Sequence, residues 1–151
     1  MTDLSDFARL VARDHGLCVV STLRPDATIQ SSVVNAGVLD HPVTGEPVVG
    51  LVARGRSRKL ANLRARPRAT VVVRAAWEWV AAEGPADLAG PDDKLGDLDA
   101  DGVRLLLRQI FTAHAAAIRR AGLDDEEAAL ADEREIAMVD DEVYGSRRAT
   151  G

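Results

Sequence analysis

The chain has 151 residues, 46% hydrophobic and 28% charged, and a formal net charge of −5 at pH 7. This composition fits one globular domain and excludes a disordered chain. No apolar run approaches the roughly 20 residues of a membrane-spanning helix, and the acidic N-terminus differs from a secretory signal, so a cytoplasmic protein with no membrane partner is expected. The single cysteine, Cys18, excludes an internal disulfide and lies in an apolar run, which predicts a buried thiol.

Apolar residues at helical spacing predict a first helix over residues 3–14, which Gly16 ends. Three predicted strands follow, separated by a turn at Pro25 and by a loop around Pro42 and Gly45. The strands span residues 17–24, 28–39 and 47–53.

The second half of the chain mixes helices and strands. Ser57 suits an N-cap, so a short helix is predicted over residues 58–66, before Pro67. The remaining predictions are strands at 69–76 and 77–88, helices at about 99–121 and near 125–133, and a last strand over EIAMVDDEVY, 135–144. Consecutive hairpins interrupted by helices predict an α+β protein with a small antiparallel barrel. Residues 1–151 are predicted to form one domain with frayed ends at 1–3 and 146–151.

Residues 54–68, RGRSRKLANLRARPR, form a basic window with seven cationic side chains and no acidic one. The window contributes +7 to the net charge of −5, so the rest of the chain carries −12. A concentrated cationic site in an acidic chain predicts a specific anionic ligand. The alternative is a solvated basic face produced by coding bias, because Arg outnumbers Lys 17 to 2.

Helical geometry narrows this prediction. Leu60 and Leu63 define an apolar face that anchors the short helix, and Lys59 and Asn62 are expected beside it, open to a ligand. Free backbone N–H groups after the N-cap favour a phosphate at the same end. Nucleic acid is a poor fit, because no aromatic side chains interleave the basic ones. The entry to this helix also holds Arg54, Arg56, Ser57 and Arg58.

Other motifs are sparse. The sequence contains no glycine-rich phosphate loop and no zinc-protease or nucleophile-elbow motif. His15, His41 and His114 lack ligand spacing, so no metal site is predicted. Trp77 and Trp79 alternate and are expected on the same side of a strand, where they either line a planar ligand or pack against the long helix.

Four segments together resemble the pyridoxamine 5′-phosphate oxidase-like split β-barrel family. More closely, they look like its actinobacterial branch that uses the deazaflavin F420, the flavin/deazaflavin oxidoreductases of B type. The most specific block is S-x-K-x-x-N-L-x-x-x-P-R-A at Ser57–Ala69, and E-G-x-A at Glu83–Ala86 supports it. In order, the segments are LCVVSTLRPDATIQSS, RSRKLANLRARPRATVVV, WEWVAAEGPADL and EREIAMVDDEVYG, within about residues 7–145.

The resemblance implies a homodimer whose two active sites lie at the subunit interface, with each cofactor contacted by both chains. In relatives, the lysine that matches Lys59 binds the cofactor phosphate, and the asparagine that matches Asn62 lies at the same site. The position of an arginine that relatives have shortly before the lysine is occupied here by Ser57, so the flanking Arg56 and Arg58 are the candidates for its role.

The resemblance is less complete at the residues that are expected near the cofactor ring. Ser32 matches a serine beneath the cofactor ring, but the asparagine usually next to it is Val33 here. Trp77, Trp79 and Arg134 match positions that line the cofactor or substrate cleft from the partner chain.

These matches lead to an expected function. The C-terminal Arg/His motif of true pyridoxamine phosphate oxidases is absent, which argues against vitamin B6 oxidation. Clustered cations suit F420, whose oligoglutamate tail adds carboxylates to the phosphate, better than FMN. The expected activity is hydride transfer from F420H2 to an electron-poor acceptor such as a quinone, an enone or a tetrapyrrole. Arg134 or solvent is the proton donor. The alternatives are an FMN oxidoreductase of the same fold and a non-catalytic F420 or flavin carrier.

Overall fold

A computed structural model describes residues 2–112, 134–139 and 142–145. These residues contain three helices, which are α1 (Leu4–Arg13), α2 (Arg58–Ala65) and α3 (Ala100–Thr112). They also contain seven strands, which are β1 (Leu17–Leu23), β2 (Ile29–Asp40), β3 (Pro47–Arg54), β4 (Arg68–Ala75), β5 (Glu78–Ala89), β6 (Arg134–Val139) and β7 (Glu142–Gly145). None of these helices has the length and apolar character needed to cross a bilayer.

The strands form one antiparallel sheet in the order β4-β1-β2-β3-β6-β5-β7. An additional pairing between β4 and β5 closes six of them into a barrel. The long β5 meets two strands in succession along its other edge, β7 at Val80–Glu83 and β6 at Ala86–Ala89. The barrel therefore has β7 as an extra strand beyond the closed set of six.

The barrel is open beside β2, because this strand changes partner halfway along its length. Residues Ile29–Asn35 pair with β1, and residues Ala36–Asp40 pair with β3. β3 pairs with β2 over Pro47–Leu51 on one edge and with β6 over Val49–Arg54 on the other. Helix α2 follows β3 directly and packs against β1 and β3. This arrangement places the basic window next to the opening.

The apolar side chains form two clusters. Inside the barrel, Phe7, Leu10 and Val11 of α1 pack against side chains of the strands and close one end of the barrel. Outside it, Leu107 and Ile110 of α3 cover the neighbouring strands β2, β3 and β6. Asp3 caps α1 through a reciprocal capping box with Asp6, which stabilises the N-terminal end of that helix.

The structure confirms the predicted α+β antiparallel split barrel with flanking helices. Two local predictions were wrong. The run EIAMVDDEVY contains two strands, because its halves pair with different segments of β5. Trp77 lies in the turn between β4 and β5, where Ala76 has a φ of 55°, and not within a strand. The predicted helix near residues 125–133 and the end of the one at 99–121 lie outside the described residues.

Candidate functional site at the N-terminus of α2

The first turn of α2 is an uncapped helix end. Ser57 occupies the N-cap position with extended backbone angles, but its side chain makes no capping hydrogen bond. Its Oγ is buried and has no hydrogen-bond partner among the described residues. Leu60 and Leu63 are buried, as predicted, and they fix the helix in place. The first turn of α2 therefore has no side-chain cap, and a helix N-terminus of this kind suits an anion.

Lys59 lies in the same first turn and is half-buried. Burial lowers the pKa of its ammonium, and the positive charge of Arg54 lowers it further. A cation that is poorly solvated and close to a second cation is stabilised strongly by an anion, which restores solvation and charge balance together. Lys59 and Arg54 thus form a candidate anion-binding pair at an uncapped helix N-terminus.

Asn62 has a different position from the predicted one. It is buried and not open beside the helix, and its Nδ2 donates a hydrogen bond to Thr22 Oγ1 at 3.0 Å. The reason is that α2 contacts β1 as well as β3, so more than one side of this short helix is covered. Asn62 thereby fixes α2 on the barrel. Its predicted role as a direct cofactor ligand remains a prediction.

Ser32 lies on β2 opposite Val20, on the side of the strand that also carries Gln30. Gln30 accepts a hydrogen bond from Thr22 at 3.3 Å, so this side of β2 adjoins the Asn62–Thr22 contact. The Oγ of Ser32 is buried without a partner, like that of Ser57. Buried hydroxyl groups are nearly always hydrogen-bonded, so both serines are exceptions to the usual pattern, and both belong to the predicted cofactor residues.

The seven cations of the basic window divide into two groups. Arg64 forms a two-pronged ion pair with Asp93, with the shortest contact at 2.7 Å, and Arg66 donates from Nε to the Leu23 carbonyl at 2.9 Å. Arg68 begins β4, away from the helix entry. The remaining four, Arg54, Arg56, Arg58 and Lys59, have no ion-pair partner within the part of the chain that the structure describes. The anion site therefore holds four cations.

Arg134, the candidate proton donor, lies opposite Arg54 in the register of β6 with β3. This pairing brings the strand position of Arg134 to the entry of α2. Local sequence patterns could not indicate this pairing, because 80 residues separate Arg54 from Arg134 and only the pairing of β3 with β6 joins them.

The two tryptophans do not share a surface. Trp77 is 96% exposed in its turn, whereas Trp79 lies on β5 and packs edge-on against Tyr144, with 6.0 Å between the ring centroids. The Tyr144 hydroxyl donates to Glu83 at 3.1 Å, and Thr70 donates to the same carboxylate oxygen at 3.3 Å. This polar group on the outer face of the sheet was not predicted, since β7 was not recognised as a separate strand.

The remaining reactive side chains serve the fold. Cys18 is buried, as predicted, and burial raises the pKa of its thiol to about 12, so it is a poor nucleophile. His41 is buried, with Nε2 2.9 Å from the Asp87 carboxylate. Within residues 2–112, 134–139 and 142–145, no three His, Cys, Asp or Glu side chains are grouped as a metal site requires.

The sequence matches no protein-family model and no curated protein. Solved structures do match. A conserved hypothetical protein of Mycobacterium tuberculosis superposes with a TM-score of 0.66 at 14% identity, over 96% of this chain and 84% of the other. A pyridoxamine 5′-phosphate oxidase-related, FMN-binding protein of Nostoc punctiforme superposes with a TM-score of 0.65 at 15% identity, over 93% of this chain and 81% of the other.

The protein has the split β-barrel fold. An F420 reductase also superposes on this protein, with a TM-score of 0.57 at 18% identity, over 90% of this chain and 94% of the other. A heme-binding protein of Mycobacterium smegmatis superposes with a TM-score of 0.59 at 18% identity, over 97% of this chain and 55% of the other. Among these structures of similar fold, one is thus an FMN-binding protein, one an F420 reductase and one a heme-binding protein.

Proposed function

We propose that this split β-barrel is an F420H2-dependent oxidoreductase that transfers a hydride from the reduced deazaflavin to an electron-poor small molecule. The observation that carries the proposal is the Ser57 hydroxyl, which is buried without a partner at an uncapped helix N-terminus beside Lys59. A phosphate at this position accepts hydrogen bonds from the hydroxyl, from backbone N–H groups and from the ammonium.

The residues present fit a cofactor phosphate. Ser57 and Lys59 supply donors on one side of the opening in the barrel, and Arg54 adds a second charge that already lowers the Lys59 pKa. Ser32 supplies a second buried hydroxyl on β2, where the resemblance expects the cofactor ring. Asn62 fixes α2 to Thr22 on β1 and so holds the helix that begins with Ser57 and Lys59 in place.

The number of free cations supports F420 over FMN. FMN carries one phosphate, which Lys59 and the helix end satisfy. Arg54, Arg56 and Arg58 are additional cations at the same end of α2, and F420 offers them the carboxylates of its oligoglutamate tail. Each charge-assisted contact contributes roughly 1.5–3 kcal/mol. This argument rests on four cations and not on the seven that the sequence presents, since Arg64, Arg66 and Arg68 lie elsewhere.

The protein contributes binding and position more than acid–base chemistry. When bound, a reduced deazaflavin would supply the hydride to the acceptor. Lys59, Ser57 and the neighbouring arginines would hold the phosphate end, and Ser32 on β2 would contact the ring side of the cofactor. Arg134, one strand from Arg54, or solvent delivers the proton that completes the reduction.

We further propose that the active form is a homodimer with the cofactor sites at its interface. The outer face of β1 and β2 supports this, because Leu17, Val19, Ile29 and Val33 leave 40–64% of their surface exposed. Exposed apolar groups of this kind mark protein contacts. In such a dimer Trp79 of one copy would line the cleft of the other.

The deciding experiment is titration of the purified apoprotein with F420 and, separately, with FMN, followed by cofactor fluorescence. Tight F420 binding is the expected result, and turnover with a quinone, nitro or enone acceptor then establishes catalysis. Tight FMN binding without F420 binding would overturn the cofactor assignment. F420 binding without turnover on any acceptor would instead establish a carrier.

The two lysines of the chain provide a matched pair of variants. Lys59→Ala removes the ammonium at the α2 entry and is expected to weaken F420 binding by about 10- to 100-fold at low salt, and by less at high salt, where the tail contacts are screened. Lys94→Ala removes an exposed ammonium in the loop before α3 and is expected to bind like wild type. Equal affinities for the two variants would place the anion site elsewhere.

A further inference from the structure

Four polar side chains form a chain of hydrogen bonds that begins just after α2 and ends on β2. In order they are Arg66, Asn62, Thr22 and Gln30, and the three contacts measure 3.5, 3.0 and 3.3 Å. The two middle residues, Asn62 and Thr22, are buried. A further bond from Arg66 Nε to the Leu23 carbonyl, at 2.9 Å, holds the first member in place.

The direction of every bond in this chain follows from its first member. The guanidinium of Arg66 can only donate, so the Asn62 oxygen faces Arg66 and the Asn62 Nδ2 donates to Thr22. The buried Thr22 hydroxyl accepts that bond, and its own proton then needs an acceptor, which is Oε1 of Gln30. The Nε2 group of Gln30 is left over, so the chain ends on β2 in a hydrogen-bond donor.

This donor is accessible and lies near Ser32. Gln30 is half-buried, and its Nε2 has no hydrogen-bond partner among the residues that the structure describes, nor is it one of their fully buried unpaired atoms. Gln30 and Ser32 are two positions apart on one face of β2, roughly 6.5–7 Å along the strand. Ile29 and Val33, which belong to the proposed contact between copies, lie on the opposite face. The amide of Gln30 and the unpaired hydroxyl of Ser32 therefore share a face that this contact does not use.

We propose that Gln30 is a specificity-determining residue of the cofactor site, and that its Nε2 donates a hydrogen bond to a carbonyl oxygen of the cofactor ring. This inference rests on the proposed function, because it needs a ring-bearing cofactor beside Ser32. Flavin and deazaflavin rings both carry carbonyl oxygens, so the inference is independent of the choice between FMN and F420. Thr22 is a positioning residue, which acts on the ring through Gln30.

The fixed direction of the chain is what makes Gln30 selective. A glutamine amide that is free to turn over offers either its oxygen or its nitrogen to a ligand. If Gln30 turned over here, the buried Thr22 hydroxyl would lose the acceptor for its proton, which is unfavourable. The site therefore favours a ring atom that accepts a hydrogen bond and disfavours a ring N–H group at the same position.

The test uses the full chain with F420 or FMN, whichever binds wild type more tightly, and measures affinity together with the carbonyl stretching frequency of the bound ring by Raman difference spectroscopy. Gln30→Leu should weaken binding about tenfold and raise that frequency, because the hydrogen bond that lowers it is lost. Gln30→Glu keeps an acceptor for Thr22 but replaces the donor with an oxygen, so it should weaken binding at least as much. Gln109 is the other glutamine of the chain and is exposed on α3, so Gln109→Leu and Gln109→Glu are matched controls that should behave like wild type.

Variants of Thr22 separate the positioning role from a purely structural one. Thr22→Val leaves Gln30 free to turn over, so the carbonyl frequency should move towards that of Gln30→Leu. Thr22→Ser keeps the hydroxyl and should keep the wild-type frequency. In the Gln30→Leu background, Thr22→Val should not shift the frequency further, even where it lowers the Tm.

Two results would overturn this inference and leave the proposed function intact. One is wild-type affinity of Gln30→Leu or Gln30→Glu for a cofactor that binds. The other is a loss of affinity in Gln30→Leu with an unchanged carbonyl frequency, which would give Gln30 a structural role only. Failure of both F420 and FMN to bind wild type would instead overturn the proposed function, and this inference with it.

Discussion

Asn62 on α2 donates a hydrogen bond from Nδ2 to Oγ1 of Thr22 on β1, across 3.0 Å, and both side chains are buried. This contact holds the helix that carries the anion site against the barrel. A buried amide exchanged for a methyl group leaves the Thr22 hydroxyl without its donor and opens a small void.

Asn62→Ala is therefore expected to lower the free energy of unfolding by about 1–3 kcal/mol. Thr22→Val removes the acceptor, and the double-mutant cycle should give a coupling energy of about 1 kcal/mol between the two sites. Urea denaturation of the four proteins measures these quantities. Additive effects would show that the contact contributes nothing beyond the two separate side chains.

Sequence periodicity predicted the strands and the burial of Leu60 and Leu63 well, because those features depend on local alternation of apolar and polar residues. It misplaced Asn62, since a helical projection has no information about a second surface packed on the same helix. Trp77 was placed in a strand because the turn at Ala76–Trp77 lacks the glycine or asparagine that normally marks a positive φ.

The candidate site was predictable in part. The order of Ser57, Lys59 and Asn62 after a strand identified the helix N-terminus correctly from local sequence. The division of the seven cations could not be predicted, because the partner of Arg64 is Asp93, 29 residues further along the chain. Long-range pairing of this kind depends on barrel closure and is not encoded in the local sequence pattern.

Removal of either buried serine hydroxyl is expected to affect protein stability and cofactor affinity in opposite directions. Ser57→Ala and Ser32→Ala each remove a buried hydroxyl that has no partner among the described residues, so the Tm should stay the same or rise. Cofactor affinity should fall by about tenfold in each variant if the hydroxyl bonds the ligand. Thermal melts and fluorescence titration measure the two effects.

Ser31→Ala is the matched control for Ser32→Ala. Ser31 is adjacent on β2, but its side chain lies on the exposed face and its Oγ is 2.8 Å from that of Ser21. Its cofactor affinity should match that of wild type. A Tm that falls in Ser57→Ala together with unchanged affinity would contradict the assignment of that hydroxyl to the ligand.

Separate substitutions of Arg58 and Arg64 test whether only the cations at the α2 entry bind the cofactor. Arg58 has no ion-pair partner in the described residues and lies at the α2 entry, so Arg58→Ala should weaken F420 binding by about tenfold at low salt. Arg64→Ala should leave the affinity unchanged and lower the free energy of unfolding by about 0.5–1 kcal/mol, because its ion pair with Asp93 is partly exposed. Equal losses of affinity would mean that the whole window acts as one diffuse basic surface.

Substitutions of His41 are expected to lower the free energy of unfolding according to how many of its contacts they remove. Its Nδ1 accepts hydrogen bonds from the backbone N–H groups of Val43 and Thr44 at 3.1 and 3.3 Å, so the proton lies on Nε2 and is donated to Asp87. His41→Asn keeps an acceptor for the two amides but loses Asp87, whereas His41→Phe loses both contacts. We expect His41→Phe to cost about 1–3 kcal/mol of stability and His41→Asn to cost less. The reverse order in urea denaturation would contradict this account of the loop.

Lys59 carries the pH dependence of the proposed site. Its pKa in the free protein is lowered by burial and by Arg54, and a bound anion favours the ammonium form, so binding raises that pKa again. Affinity for a phosphate-bearing ligand should therefore fall as pH rises through the lowered pKa, with proton uptake on binding in that range. Titration with F420 across this range in buffers of different ionisation enthalpy measures both. Lys59→Arg keeps its charge throughout, so its affinity should stay level where that of wild type declines, and equally level profiles would remove Lys59 from the site.

The same lowered pKa means that the charge of Lys59 opposes folding. The unfolded chain holds the proton more tightly than the folded one, so this cost is fully present below the folded pKa and disappears as pH rises past the unfolded value. Lys59→Met removes the charge and keeps the aliphatic stem, so its Tm at neutral pH should equal or exceed that of wild type while F420 binding is lost. At pH values above the ordinary lysine pKa the two melting curves should converge. A lower Tm for Lys59→Met at neutral pH would show that the ammonium already has a stabilising partner within the protein, and the site would then be less suited to an external anion.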